Sequence, residues 1–279
     1  MKILRTALIF SMSIVCTAQL RAQKADYTND VQVRSGTLVV LIVSQRADYV
    51  VIAAESRNVD QYGNRLNDNS CKIISLGGEI LFYEAGNSSA SIVGGSSWNS
   101  QGAARAVYKY SQERNALNLS NAWRARALNW FSRLEEKNFL AITEPPKRML
   151  VTEGFIAADT SDVLSVQGAV LSYDDTQHKL LAQLYSYGSG AMVALGVATD
   201  LVNKFSAGKM RGFDSASDVN LAQQAIKFAM NNAVGKYKET LGGDIDIAIL
   251  RSNRTIKWVA RKPSCSKEDL KPAAPAKHK

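Results

Sequence analysis

Histidine is almost absent from this sequence of 279 residues, which contains only His178 and His278. A zinc site, or a triad with histidine as its base, would have to depend on His178 alone. That residue stands in the polar segment 174–179, which is typical of a solvated hairpin turn. CxxC and HxxxH spacings are also missing. We therefore expect neither a metal nor a cofactor.

Long apolar runs are scarce as well. The run at residues 7–16 follows a positively charged start and is too short to cross a ~30 Å hydrocarbon core as a helix. With the small residues behind it, it indicates a cleaved signal peptide over residues 1–22. We expect a secreted or periplasmic protein without a stable membrane span. An oxidising compartment permits a disulfide between Cys71 and Cys265, although the sequence does not show that they approach each other.

Acidic residues are fewer than basic ones, 25 against 34, which gives a formal charge of +9. Part of the excess lies in residues 263–279, rich in Pro, Ala and Lys, which we expect to form a disordered basic tail. No basic run is interleaved with aromatic residues, so we expect no nucleic-acid partner. A short extension or pro-segment, residues 23–34, would lead into a single domain, residues 35–262.

Strand and helix signals come in blocks rather than in alternation along the chain. The predicted strands are 37–43, 49–54, 72–76, 79–83, 149–158, 168–173, 180–187, 245–250 and 255–259. The predicted helices are 103–137, broken near 117–121, then 191–202 and 217–237. Hairpins make the sheets antiparallel, and helices in blocks favour a layered α+β domain over a doubly wound sheet.

Several short motifs follow one another in a recognisable order. They are Gly36-Thr37-Leu38-Val39-Val40, residues 50–57 (VVIAAESR), Lys72 after a polar loop, Ala85-Gly86, Gly188-Ser189-Gly190 and Gly242-Gly243-Asp244. In these motifs the chain resembles the proteasome-type N-terminal-nucleophile (Ntn) hydrolases, over roughly residues 35–259. The resemblance implies a four-layer α-β-β-α sandwich with two antiparallel sheets face to face. It also implies a threonine-type peptidase that cleaves amide or peptide bonds after processing itself.

The nucleophile implied by the resemblance is the hydroxyl of the residue freed as the mature N-terminus. Its own α-amine, with an unperturbed pKa near ~8, would act as the base, so no histidine is needed. Thr37 follows Gly36 at the junction where the family cuts itself. Ser35 is the alternative, two residues earlier and predicted on the same strand face. A cut beyond signal removal is required in either case.

Four further residues match positions that surround the nucleophile in this family. Lys72 would lower the pKa of the nucleophile, and Glu55 stands where catalytic members carry an aspartate that pairs with this lysine. Ser189 would assist the amine. The backbone N–H at Gly86 would stabilise an oxyanion.

The chain departs from the family pattern just ahead of Gly242. Catalytic members carry an Asp and a Ser there, where this chain has Lys238 and Leu241. Leucine cannot hydrogen-bond an amine, and a lysine would repel one. Two alternatives therefore stay open: a non-catalytic subunit of the same fold, or an exported binding domain whose polar loop 87–101 contacts a ligand.

An aromatic helix motivates a further hypothesis about partners. Trp123, Trp130 and Phe131 recur at helical spacing. They would either pack on another subunit of a homo-oligomer or ring, or fill the core of their own domain.

Overall fold

The computed structural model describes residues 31–60, 63–92, 95–135 and 147–269. These ranges form a mixed α+β fold with three five-stranded antiparallel sheets. None of their helices has the length and apolar character needed to cross a membrane. The predicted signal peptide and residues 270–279 of the predicted tail lie outside the described residues.

The strands and helices are numbered in chain order. The strands are β1 Val31–Ser35, β2 Leu38–Val43, β3 Tyr49–Glu55, β4 Asn58–Asp60, β5 Arg65–Asn67, β6 Ile73–Leu76, β7 Ile80–Gly86, β8 Ser89–Ile92, β9 Ser97–Asn99, β10 Lys147–Ala158, β11 Leu164–Asp174, β12 Lys179–Tyr187, β13 Met192–Gly196, β14 Ile245–Arg251 and β15 Ile256–Ala260. The helices are α1 Ser100–Tyr110, α2 Ala116–Phe131, α3 Thr199–Ser206, α4 Ser215–Asn232 and α5 Lys236–Thr240, with a 3-10 turn at Cys265–Lys267.

Two of the sheets contain the hairpins predicted from the apolar runs. Sheet I has the strand order β13-β2-β3-β14-β15, and sheet II has the order β12-β11-β10-β7-β6. Sheet III, with the order β5-β4-β1-β8-β9, is made of short strands. Strand β1, which lies in the predicted extension except for Ser35, is the central strand of sheet III.

Strand β2 is buried on both faces, which explains its continuous apolar sequence. Because successive side chains point to opposite faces of a strand, its odd-numbered and even-numbered residues enter different clusters. Val39 and Leu41 pack with sheet II residues such as Leu81 in a cluster between the two large sheets. Leu38 and Val40 pack in a second cluster with residues of α3 and α4.

A third cluster lies between the other face of sheet II and the helices α1 and α2. Phe82 and Phe155 contribute to it from the sheet. Trp123, Trp130 and Phe131 contribute to it from α2 and are all buried. The spacing of these three aromatic residues is thus explained by core packing, and they do not offer an exposed face to another subunit.

Two predicted elements differ from the structure near β2. The first predicted strand begins one residue later than predicted, at Leu38, because positive φ angles at Gly36 (+101°) and Thr37 (+131°) separate it from the additional strand β1. Residues 191–202 were predicted to be helical, but Met192–Gly196 is the edge strand β13, paired with β2. Its short apolar run fits a helix or a strand equally well, and pairing with β2 decides between them.

The C-terminal segment is more ordered than predicted. Residues 263–269 were expected to belong to a disordered tail, but a disulfide joins Cys265 to Cys71. Asp269 also accepts hydrogen bonds from the backbone N–H of Ser75 (2.8 Å) and from Arg261 Nη2 (2.7 Å). These links fix the segment against the start of β6, which its composition alone does not reveal.

Candidate active site

Thr37 occupies the turn between β1 and β2. A β-branched residue with φ of +131° is a conformational outlier, and such strain costs on the order of 1–3 kcal/mol. Its side chain is fully buried, and Oγ1 has no hydrogen-bond partner among the described residues. The predicted nucleophile is therefore a buried hydroxyl on a strained backbone, with no hydrogen bond from the ranges that the structure describes.

Ser35 has a different location from the one predicted. It ends β1 and lies opposite Val59 of β4 in sheet III. The prediction that Ser35 shares a strand face with Thr37 is wrong, because Ser35 ends β1 whereas Thr37 lies in the connection before β2 begins at Leu38.

The end of β13 contacts the backbone of Thr37. The N–H of Val197 donates to the Thr37 carbonyl oxygen at 3.0 Å. Gly196 has φ of +95°, and a Cβ built on it would clash with the same oxygen. That Cβ would also lie 3.3 Å from the Cβ of Ala85, which precedes Gly86. The predicted oxyanion segment at the end of β7 is thus near the Thr37 turn.

Ser189 lies at the opposite end of β2. The N–H of the next residue, Gly190, donates to the carbonyls of Val43 (3.1 Å) and Ser44 (3.2 Å), where β2 ends. At about 3.3 Å per residue, the six-residue span of the strand separates that end from Thr37 by roughly 20 Å. Ser189 is exposed and is not brought together with Thr37.

Glu55 is fully buried at the end of β3, and both of its carboxylate oxygens accept backbone N–H groups. Oε1 accepts from Leu38 at 3.0 Å, and Oε2 accepts from Arg57 at 2.8 Å and from Gly242 at 3.1 Å. Burial raises the pKa of Glu55 to about 7, although these hydrogen bonds and the charge of Lys72 oppose the shift. Glu55 therefore ties the start of β2 to the turn at Gly242.

Lys72 is buried immediately before β6. Its Nζ donates to Asn58 Oδ1 at 2.5 Å and lies 3.9 Å from Glu84 Oε1. Burial lowers the pKa of Lys72, while the charges of Glu84, Glu55 and Glu153 oppose that shift. The lysine is thus held by Asn58 and Glu84, two residues that motif matching does not select.

Glu84 and Glu153 form a buried pair of acidic residues beside Lys72. They lie directly opposite each other on β7 and β10. Burial raises the pKa of Glu84 to about 7 and raises the pKa of Glu153 well above its usual range. Ser100 donates to Glu153 Oε1, and Gln101 Nε2 donates to Glu84 Oε1 at 3.3 Å. Three buried carboxyl groups, those of Glu55, Glu84 and Glu153, therefore act on the charge of Lys72.

The two residues that depart from the family pattern, Lys238 and Leu241, have different surroundings in the structure. Leu241 packs in the cluster between sheet I and its helices, and Lys238 is exposed on α5. Neither side chain supplies a hydrogen-bond acceptor for an amine at Thr37.

Sequence comparison matches the chain to no known protein family and to no curated protein. Within the described ranges, no group of three or more His, Cys, Asp or Glu residues is arranged to hold a metal ion. The functional assignment therefore depends on the geometry around Thr37 and Lys72.

Proposed function

We propose that the protein is an exported Ntn hydrolase of the proteasome type, which cleaves amide or peptide bonds through Thr37 after cutting its own Gly36–Thr37 bond. The observation that carries this proposal is the state of Thr37. Its hydroxyl is buried and has no hydrogen-bond partner in the part of the chain that the structure describes, and its backbone is strained directly after the glycine of the junction.

The arrangement of the hydrophobic clusters supports the proposed four-layer sandwich. One cluster packs α1 and α2 against sheet II, a second packs sheet II against sheet I, and a third packs sheet I against α3 and α4. Followed in that order, the elements give helices, sheet, sheet and helices, the succession expected for this class.

The proposed self-cleavage begins at the Thr37 hydroxyl. Oγ1 attacks the carbonyl carbon of Gly36, the bond from that carbon to the Thr37 nitrogen breaks, and the hydroxyl proton passes to the nitrogen. The resulting ester is hydrolysed by water, which releases the upstream segment as a carboxylic acid. Thr37 then carries a free hydroxyl and a free α-amine, and relief of the local strain favours the reaction.

The same two groups would act on a peptide or amide substrate. The α-amine accepts the proton of Oγ1 as the hydroxyl attacks the substrate carbonyl, and an acyl-enzyme ester forms as the amine of the substrate departs with that proton. Water then hydrolyses the ester. Lys72, buried and with a lowered pKa, is the residue that the family resemblance assigns to assist proton transfer.

Export is part of the proposal. The predicted signal peptide motivates it, and the Cys71–Cys265 disulfide is compatible with an oxidising compartment such as the periplasm or the exterior of the cell.

The test is the intact mass and N-terminal residue of the exported protein. We expect Thr37 at the N-terminus, and we expect Thr37→Ala and Lys72→Ala to keep the upstream segment attached. Ser35→Ala tests the alternative nucleophile, and Ser189→Ala is the matched control at the far end of β2. Both of these serine variants should still be cut.

A mature chain that begins near residue 23 would contradict the proposal, because β1 would remain joined to Thr37 and the amine would stay capped. That result would favour a non-catalytic domain of the same fold. The replacement of the Asp and Ser of catalytic members by Lys238 and Leu241 would then be explained by a loss of catalysis.

A further inference from the structure

Lys72 has different hydrogen-bond partners from those implied by the family resemblance. The aspartate that pairs with the lysine in catalytic members is replaced by Glu55, and both oxygens of Glu55 accept backbone N–H groups. Lys72 Nζ instead donates to Asn58 Oδ1 at 2.5 Å, and its nearest carboxylate contact is Glu84 Oε1 at 3.9 Å.

Both partners are held on regular elements next to the lysine. Asn58 begins β4 and is 7% exposed. Glu84 is 4% exposed, and its backbone N–H donates to the carbonyl of Lys72 at 3.0 Å. The Glu84 side chain is held in turn by Gln101, from the first turn of α1. The Nζ position is therefore fixed from two sides by buried groups.

We propose that Asn58 and Glu84 are the positioning residues of Lys72. Asn58 orients the amine with a neutral acceptor, and Glu84 supplies the counter-charge that an aspartate supplies in catalytic members of the family. The consequence for cleavage at Gly36–Thr37 rests on the proposed function, whereas the pairing itself does not.

Substitution of the two partners has opposite effects on the lysine. The charged groups that act on Lys72 are Glu84 on β7, Glu55 on β3, Glu153 on β10 and Lys262 after β15. Asn58→Asp adds a negative charge at the closest position and favours the ammonium form. Glu84→Gln removes a negative charge and favours the neutral amine. Both substitutions nearly preserve side-chain volume.

The experiment is an NMR titration of the full chain labelled with ¹³C at the lysine ε carbon, with the Lys72 signal assigned by Lys72→Arg. We expect Asn58→Asp to raise the pKa of Lys72 by about one pH unit or more and Glu84→Gln to lower it by a similar amount. Asn203→Asp adds the same charge on the exposed face of α3 and should leave the pKa of Lys72 unchanged.

A second readout is the pH dependence of cleavage at the Gly36–Thr37 bond. The part of the pH–rate profile that follows the titration of Lys72, its lysine-dependent limb, should move to higher pH in Asn58→Asp and to lower pH in Glu84→Gln. A purely structural role would lower the rate at all pH values without moving the limb.

Two results would overturn the positioning role. One is a Lys72 titration that neither variant changes, and the other is a cleavage limb that stays in place while the titration moves. If Lys72 responds as expected but the wild-type chain is never cut, the pairing stands and the proposed function fails. Thermal unfolding of each variant checks the fold, and a folded variant that leaves the Lys72 titration unchanged overturns the role of the residue that it replaces.

Discussion

Gly196 lies against the carbonyl oxygen of Thr37 so closely that a Cβ atom would overlap that oxygen. The contact joins the end of β13 to the turn that carries the proposed nucleophile. The glycine is needed here for space, and its φ of +95° is also unfavourable for other residues. The Thr37 turn is thus shaped by a residue outside the motifs that predict the site.

Gly196→Ala should disturb this turn. We expect a loss of stability and slower cleavage at Gly36–Thr37, because the new methyl group displaces the Thr37 carbonyl. Gly208→Ala is the matched control, since Gly208 also has positive φ (+73°) but has nothing within 4 Å of an added Cβ. The alanine at 196 should lower the free energy of unfolding by about 1–3 kcal/mol more than the alanine at 208, measured in urea. Equal losses of unfolding free energy in the two variants would show that the structure accommodates the new methyl group at position 196 without cost.

Strain at Thr37 predicts an unusual order of stability among its variants. Thr37→Ala keeps a Cβ at positive φ, whereas Thr37→Gly relieves the strain at the expense of a more flexible unfolded chain. We expect the glycine variant to be more stable than the alanine variant by about 1 kcal/mol. Both variants lack the proposed nucleophile, so we expect chemical denaturation to compare two intact chains. A more stable alanine variant would contradict the strain assigned to this turn.

Stability should depend on pH through Glu84. Its folded-state pKa is raised from 4.5 to about 7, so the stability contributed by its neutral form is full below pH 4.5 and is lost as pH rises to about 7. Within this window a single such group lowers the free energy of unfolding by at most about 1.4 kcal/mol per pH unit.

Glu84→Gln should flatten this part of the pH profile, because glutamine stays neutral. The measurement is urea unfolding at pH 5, 6 and 7 for both proteins. Parallel profiles would show that Glu84 is not protonated in the folded protein below pH 7.

The Cys71–Cys265 disulfide should contribute substantially to stability. It joins residues 194 positions apart, and a bridge across so long a segment restricts the unfolded chain strongly. We expect the double variant Cys71→Ser with Cys265→Ser to lose about 2–5 kcal/mol of unfolding free energy. A reducing agent should destabilise the wild type by a similar amount and leave the double variant unaffected. An unchanged wild type would show that the bridge contributes nothing measurable.

The hairpins β2–β3 and β6–β7 could be predicted from sequence because their strands are largely continuous apolar runs. In β2 and β3 every residue is buried, and the runs end at polar turns. Sheet III could not be predicted in the same way. Strands β4, β5 and β9 have three residues each, and β1 joins β4 to β8, which are distant in sequence. Such pairing depends on long-range contacts rather than on local pattern.

In the candidate site, too, some residues could be predicted from local sequence and others depend on long-range contacts. Thr37 and Lys72 are both buried, and their catalytic roles stay predictions, whereas Ser189 belongs to a Gly-Ser-Gly sequence that is common in turns and is exposed. Asn58 lies in the polar loop that the sequence predicts between the strands 49–54 and 72–76. Glu84 could have been noticed as an acidic residue inside the apolar strand β7, on the same hairpin as Lys72. Its contact with the lysine depends on side-chain geometry.

The disulfide also determines what a single backbone cut can release. Residues 71–265 form one covalent ring, so a cut between residues 72 and 264 opens the ring without separating any fragment. Only the arm before Cys71 and the end after Cys265 can leave the ring. The Gly36–Thr37 bond lies on the arm, and its cleavage would free β1 from the polypeptide while β4 and β8 still flank it on both sides. On a non-reducing gel this one bond could therefore be distinguished from any break within the ring.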